Sequence, residues 1–176
     1  YVTLANNHVL DYEEEAFIET LQHLEKSNIP YAGAGRNITE ASKPIFLEAK
    51  GIKVAIIAFT DNMPEWSATK TKPGVNYIEI NKNNIEKVKK SVIEAKAESD
   101  IVIVSAHWGP NMRQRPTTQF KEFAHAIIDA GVDIFHGHSA HIFQGIEIYN
   151  GKLIMYDAGD FVDDYYVGPE EKNDQQ

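Results

Sequence analysis

No cysteine occurs in the chain. A disulfide framework and a thiolate metal site are both excluded, so any transition-metal centre must be built from histidine, asparagine and carboxylates. The absence fits a cytoplasmic and a cell-surface protein equally. Positive charge is scarce as well: 17 Lys and Arg stand against 26 Asp and Glu, a formal net charge of −9. Nucleic acid is thereby excluded as the main partner, because phosphate backbones are bound by basic surfaces. An anionic small substrate is not excluded, since a pair of metal ions supplies a local positive field inside an acidic protein. No apolar run reaches the length of a membrane span, and no signal peptide is recognisable. Internal repeats, low-complexity tracts and a His-Glu-x-x-His helix are missing too. The sequence opens at Tyr1 without an initiating Met, already inside what reads as a strand, and closes on Asn173-Asp174-Gln175-Gln176. The expectation is a portion of a larger protein, for which missing targeting segments carry no information.

What is present is an ordinary globular composition, 43% hydrophobic and 24% charged over 176 residues, enough for one domain with a substantial core. Tyr1 to Ala5 reads as a strand delivering Asn6-Asn7-His8. A helix follows from Glu13 to Asn28, with Phe17, Leu21 and Leu24 at helical spacing and Pro30 beyond its end. Asn37 with Glu40 reads as a capping box for a short helix stopped by Pro44. Ile45–Ala49 and Ile52–Phe59 read as a hairpin turning at Lys50-Gly51, and Thr60 to Asn76 as a long irregular segment. An amphipathic helix over Asn81–Glu98, a buried strand over Asp100–Ala106 and a helix over Thr117–Ala130 come next. Val132–Phe135 and Ile142–Ile148 read as two further buried strands, and a turn at Asn150-Gly151 brings Leu153–Tyr156 back alongside.

The densest chemistry lies between those two strands, in Phe135-His136-Gly137-His138-Ser139-Ala140-His141. Three imidazoles within six residues suit a metal site; a His-rich polar turn is the bland alternative. The expectation is a tight loop that carries all three. Five of the seven histidines (His8, His107, His136, His138 and His141) fall at the carboxyl ends of predicted strands or just after them, where sheet proteins with crossover helices place their sites. His23 and His125 lie within predicted helices and read as surface or boundary residues. Arg113 and Arg115 follow the His107-Trp108-Gly109-Pro110 stretch and could clamp an anionic substrate by planar bidentate contacts; ordinary surface arginines are the alternative. Trp108 reads as a packing residue that walls the site, and Tyr156 as core.

Taken together, Asn6-Asn7-His8-Val9-Leu10-Asp11-Tyr12, Gly33-Ala34-Gly35, His107-Trp108-Gly109-Pro110, Gly137-His138-Ser139-Ala140-His141 and Tyr156-Asp157-Ala158-Gly159-Asp160-Phe161 resemble the CapA-type capsule and poly-γ-glutamate biosynthesis family of the calcineurin-like metallophosphatase superfamily. The resemblance implies an α/β fold, a metallophosphoesterase-like β-sandwich flanked by helices, here partial because the first strands are missing. It covers 1–168, with 169–176 as a polar tail. It implies two divalent transition metals, Mn, Fe or Zn, in the complete protein. Asn7, His107 and His138 would hold one and His141 would reach the other. His8 would face the leaving group, and Asp11 would orient His8. The superfamily's first acidic ligands would precede residue 1, so the fragment is expected to bind metal poorly or at one site. The last motif usually reads Gly-Asn-Phe; Asp160 in its place either adds a carboxylate near the site or serves as a helix N-cap. The function implied is phosphoester hydrolysis by metal-bound hydroxide within capsule or polymer production, the fragment itself being inactive. The alternative is a non-catalytic domain that uses the same cleft to bind an anionic polymer or a membrane synthase subunit. A membrane-associated, extracytoplasmic location in bacteria is likewise implied by the resemblance alone.

Overall fold

The structure, a computed structural model, describes residues 1–160. The expected polar tail at 169–176, the boundary at 168 and Phe161 of the last motif lie outside the described residues. Strand β1 (Val2–Thr3) leads through Asn6–His8 into helix α1 (Glu13–Lys26). Three glutamates in its first turn and His23 with Lys26 in its last complement the helix dipole, and Phe17 and Leu21 are buried. Strands β2 (Tyr31–Ala32) and β3 (Ala34–Gly35) follow. Helix α2 (Ile38–Ala41) starts where the Asn37 side chain accepts the Glu40 N–H at 3.0 Å, the N-cap half of the capping box read from sequence; the Glu40 carboxylate accepts the N–H of Arg36, one residue before the cap, at 3.0 Å.

The hairpin is formed by β4 (Ile45–Ala49) and β5 (Ile52–Thr60). The irregular stretch after it holds a 3-10 turn at Pro64–Trp66 and β6 (Gly74–Val75), antiparallel to β3. Helix α3 (Lys82–Ala97), capped by Asn81, leads to β7 (Ile101–His107), and α4 (Thr118–Asp129), capped by Thr117, to β8 (Ile134–His138). The chain then forms the hairpin of β9 (Phe143–Tyr149) and β10 (Lys152–Ala158).

One six-stranded sheet, ordered β4-β5-β7-β8-β10-β9, organises the molecule beside two small two-stranded sheets. Its four inner strands are parallel and both edge strands are antiparallel to their neighbours. Helices α3 and α4 are the crossovers. Both pack on one face, where Val92, Phe123 and Ile127 meet Ala55, Val102, Val104 and Phe135 in the main core. Trp108 is 2% exposed there among Phe120, Phe123 and Phe135, and its Nε1 donates to the Tyr156 carbonyl at 2.8 Å. This is the packing role read from sequence for both residues. The layered α/β arrangement of sheet and flanking helices is the expected fold.

Two expectations are corrected. Strand β8 does not stop at Phe135: His136 pairs with Ser105 and Met155, and His138 with His107, so the β10 ladder carries the strand to His136 and the β7 ladder carries it on to His138. The tight loop therefore holds only His141; His136 and His138 lie in the strand, two apart on one face. Strand β9 is an edge strand and is not buried, with Phe143 53%, Ile146 59% and Ile148 67% exposed. An apolar run by itself does not distinguish a central strand from an edge. Across the face away from α3 and α4, register places Ile103, Ile134, Leu153 and Ile148 in one row. The row is half-buried to exposed, because β1 and β2 cover that face only near Ala58, where Ala5 and Ala32 pack.

Gly137 lies where β8 passes beneath Trp108, and a Cβ there would collide with the Tyr156 carbonyl oxygen and crowd Trp108 Nε1. Gly137→Ala is expected to cost about 3 kcal/mol through this overpacking. Urea denaturation would show it as a lower midpoint with an unchanged slope.

No helix among the described residues is long and apolar enough to cross a membrane.

Candidate metal centre

Register aligns Thr60, His107 and His138 across β5, β7 and β8 at their carboxyl ends. The His107 and His138 rings meet edge to face, with their Nδ1 atoms 3.2 Å apart. Two neutral imidazoles in this contact share one proton, so at least one lone pair faces the gap. His138 Nε2 lies 3.0 Å from the Ser105 hydroxyl, which engages the ring's far side. His107 is 8% exposed, and its Nε2 is buried without a hydrogen-bond partner among the described residues.

Burial, with the nearby His141 and His8 charges, pushes the His107 pKa down to about 4. Burial, with His107 and His136, pushes His138 down to about 3. Both rings are therefore uncharged at neutral pH, the state in which imidazole binds a metal. Two nitrogens bound to one tetrahedral ion at ~2.0–2.1 Å are about 3.3 Å apart. The observed 3.2 Å separation fits that edge.

The amino-terminal motif arrives at the same end of the sheet because Ala5 and Ala32 pack on Ala58. Asn6 Oδ1 accepts the His8 N–H at 2.8 Å, turning the chain sharply after β1. His8 Nδ1 then meets Asp11 Oδ2 at 2.7 Å, which directs the opposite ring nitrogen away from the carboxylate. The His8 side chain is 63% exposed, open to an incoming ligand. Asn7 is half-buried, and among the described residues no hydrogen bond engages its side chain.

His141 sits in the turn after β8. Its φ is 58° and that of Ser139 is 121°, conformations that non-glycine residues keep only when their surroundings hold them. Asp157, 1% exposed, accepts the Ala140 N–H at 2.7 Å and the Gly159 N–H at 3.0 Å, tying the turn to the end of β10. His141 Nδ1 lies 2.9 Å from Asp160 Oδ2, so the Asp160 carboxylate stands beside the candidate ligand. His136 is half-buried, its ring 5.4 Å from that of His138, and burial lowers its pKa.

The structure thus gathers His8, His107, His138 and His141 at one end of the sheet, with Asn7 adjacent to His8 in the chain. It does not close them into a complete centre: among the described residues no group of three or more His, Asp or Glu side chains lies close enough to hold a metal ion. Arg113 stacks over Phe120 with its guanidinium carbon 5.3 Å from the ring centroid, and its charge reaches Asp61. Arg115 lines a groove of about 470 Å³ with Lys121, Glu147 and Tyr156, and the five candidate metal and proton-transfer residues are absent from its walls. Glu147 is engaged there by the Tyr156 hydroxyl at 2.6 Å and by His125 Nε2 at 3.0 Å, a hydrogen-bonding role for His125 at the helix-sheet boundary.

Two residues of the centre escaped sequence reasoning. Ser105 carries no signal beyond alternation along β7. Asp61 did carry one, since it follows the buried run of β5 just as His107 ends that of β7. Its carboxyl, pushed up to about 6 by burial, accepts the Gly109 N–H at 2.8 Å.

The family model of the bacterial capsule synthesis protein PGA_cap matches residues 1–165. The chain belongs to this family. It is 36% identical over 162 residues to the PGA biosynthesis protein CapA of Bacillus subtilis, covering 91% of this chain and 41% of the relative. It is 38% identical over 169 residues to a probable polyglutamine synthesis accessory protein of Mycobacterium tuberculosis, covering 92% and 44%. The chain spans less than half the length of the curated relatives it matches. Among solved structures, a putative 5'-nucleotidase from Staphylococcus aureus, in complex with alpha-ketoglutarate, aligns over 87% of this chain and 31% of its own with a TM-score of 0.56. At 19% identity that likeness speaks for the fold alone.

Proposed function

We propose that this PGA_cap chain is the histidine-bearing part of a capsule or poly-γ-glutamate biosynthesis protein that hydrolyses a phosphoester at a pair of divalent ions, Mn, Fe or Zn. The observation that carries the reading is the 3.2 Å contact between the Nδ1 atoms of two buried, uncharged histidines. Asn7, His107 and His138 would hold one ion and His141 the other. When bound, the ions supply positive charge for the entering and leaving oxygens of an in-line displacement. His8, oriented by Asp11, protonates the leaving oxygen from its Nε2 side. Arg113, on the loop after His107, supplies charge for the anionic substrate, whereas Arg115 lines a separate groove and is left out of this role. Among the described residues this ligand set is not closed into a complete centre.

A second reading is favoured by one relative's description as an accessory protein. In it, the cleft binds an anionic polymer or a membrane synthase subunit without turnover. The full-length protein, loaded with Mn2+ or Zn2+ and offered a generic phosphodiester, separates the two. Metal-dependent hydrolysis supports the first reading. Bound metal without hydrolysis supports the second.

A further inference from the structure

We propose that Asp61 and Asn62, at the carboxyl end of β5, are positioning residues that lock the loop after His107 to the loop between His138 and His141. The proposal rests on the metal-centre reading above and concerns residues that contribute no ligand to it. Asp61 grips the first loop at both ends: its N–H donates to the His107 carbonyl at 3.2 Å, and its Oδ1 accepts the Gly109 N–H at 2.8 Å. Asn62 reaches the second loop, where its Nδ2 donates to Ser139 Oγ at 3.3 Å. Ser139 Oγ in turn donates to the Gly109 carbonyl at 3.3 Å, which closes the connection between the loops. The Asn62 N–H donates to the hydroxyl of fully buried Thr60 at 3.0 Å, anchoring the turn to the strand.

The mechanical logic lies in Ser139. Its φ of 121° is one that a serine keeps only under external constraint, and the hydrogen bonds to Asn62 and Gly109 supply that constraint. The flanking histidines, His138 and His141, are thereby fixed relative to His107 through the end of β5. A metal centre tolerates errors of only about 0.5 Å in its ligands, so the bridge between the two loops sets affinity although it touches no ion.

The test uses the full-length protein and three readouts: Zn2+ affinity by competition with a chromophoric chelator, the visible absorption of Co2+, and hydrogen exchange of the Gly109 amide. Asp61→Ala should weaken Zn2+ binding roughly 10–100-fold, shift the Co2+ bands and speed Gly109 exchange. Asp61→Asn keeps an oxygen that accepts from Gly109, and should return affinity to within about threefold of wild type. Asn62→Ala, which removes one side-chain link, should weaken binding by about tenfold and serves if Asp61→Ala fails to fold. Wild-type Zn2+ affinity and Co2+ bands in a folded Asp61→Ala protein would overturn the proposal. So would an Asp61→Asn protein as impaired as Asp61→Ala, or an unchanged Asn62→Ala protein. If the wild type binds no metal, the metal-centre reading fails by itself. The bridge is then decided by Gly109 exchange, faster in Asp61→Ala if it exists and unchanged if it does not.

Discussion

Replacing His8 by alanine in the full-length protein should leave divalent metal bound and lower phosphoester turnover by about 10²–10⁴-fold. The expectation follows from where the ring sits. His8 Nδ1 is committed to Asp11 at 2.7 Å, and its side chain is 63% exposed at the mouth of the candidate centre. A ring held in this way donates from Nε2 to whatever oxygen departs. The loss should depend on that oxygen. A p-nitrophenyl ester, whose leaving group is stable as an anion, needs little protonation, and the variant should lose least on it. An alkyl ester should show the full effect. Asp11→Asn keeps a hydrogen-bond acceptor but removes the charge, and should fall between wild type and His8→Ala. Equal losses on both esters would mean that His8 does not protonate the leaving group.

Acid should weaken the metal-free chain by about 3 kcal/mol between pH 7 and pH 4.5. His107 and His138 titrate at about 4 and 3 in the folded protein, against 6.5 for an unhindered imidazole. Below pH 6.5 the unfolded chain takes up protons on both residues while the folded chain does not. Their contribution is therefore present above pH 6.5 and is lost progressively as pH falls toward the folded values. Asp61 works in the opposite sense. Its folded pKa of about 6 exceeds the ordinary 3.8, so its contribution is present at low pH and is lost as pH rises through 6. Two histidines displaced by more than two units outweigh one aspartate displaced upward by about two. His136, also lowered by burial, adds to the histidine side, and Asp157, raised by burial, to the other. Urea titrations at the two pH values measure the difference. Equal or greater stability at pH 4.5 would contradict the burial of uncharged histidines at the strand ends.

Periodicity made most of the frame legible. The amphipathic stripes of α3 and α4 and the apolar runs of β5 and β7 announce crossover helices over a parallel sheet, and the caps at Asn37, Asn81 and Thr117 mark helix starts. The histidines were legible as chemistry because their spacing and position after buried runs are local properties. The end of β8 was not legible, because what extends it is pairing with β10 as far as His136 and with β7 as far as His138, both distant in sequence. The exposure of Ile146 and Ile148 was hidden for the same reason, since an edge strand and a central strand can share one composition. Asp61 went unread because its role is a backbone hydrogen bond to Gly109, 48 residues away. Asp160 had two readings in sequence: its 2.9 Å contact with His141 puts the carboxylate beside that ring, and the helix N-cap reading lies outside the described residues.

The central claim is that His107 and His138 are two ligands of one divalent ion. The most direct measurement is the metal content and affinity of the full-length protein, by elemental analysis and chelator competition, for wild type, His107→Ala and His138→Ala. The account predicts that wild type retains Mn, Fe or Zn, and that each variant loses at least about 100-fold in affinity at one ion, more than the loss of a supporting residue would cause. A wild-type protein that takes up no divalent metal on reconstitution would contradict it, as would two folded variants with wild-type content and affinity.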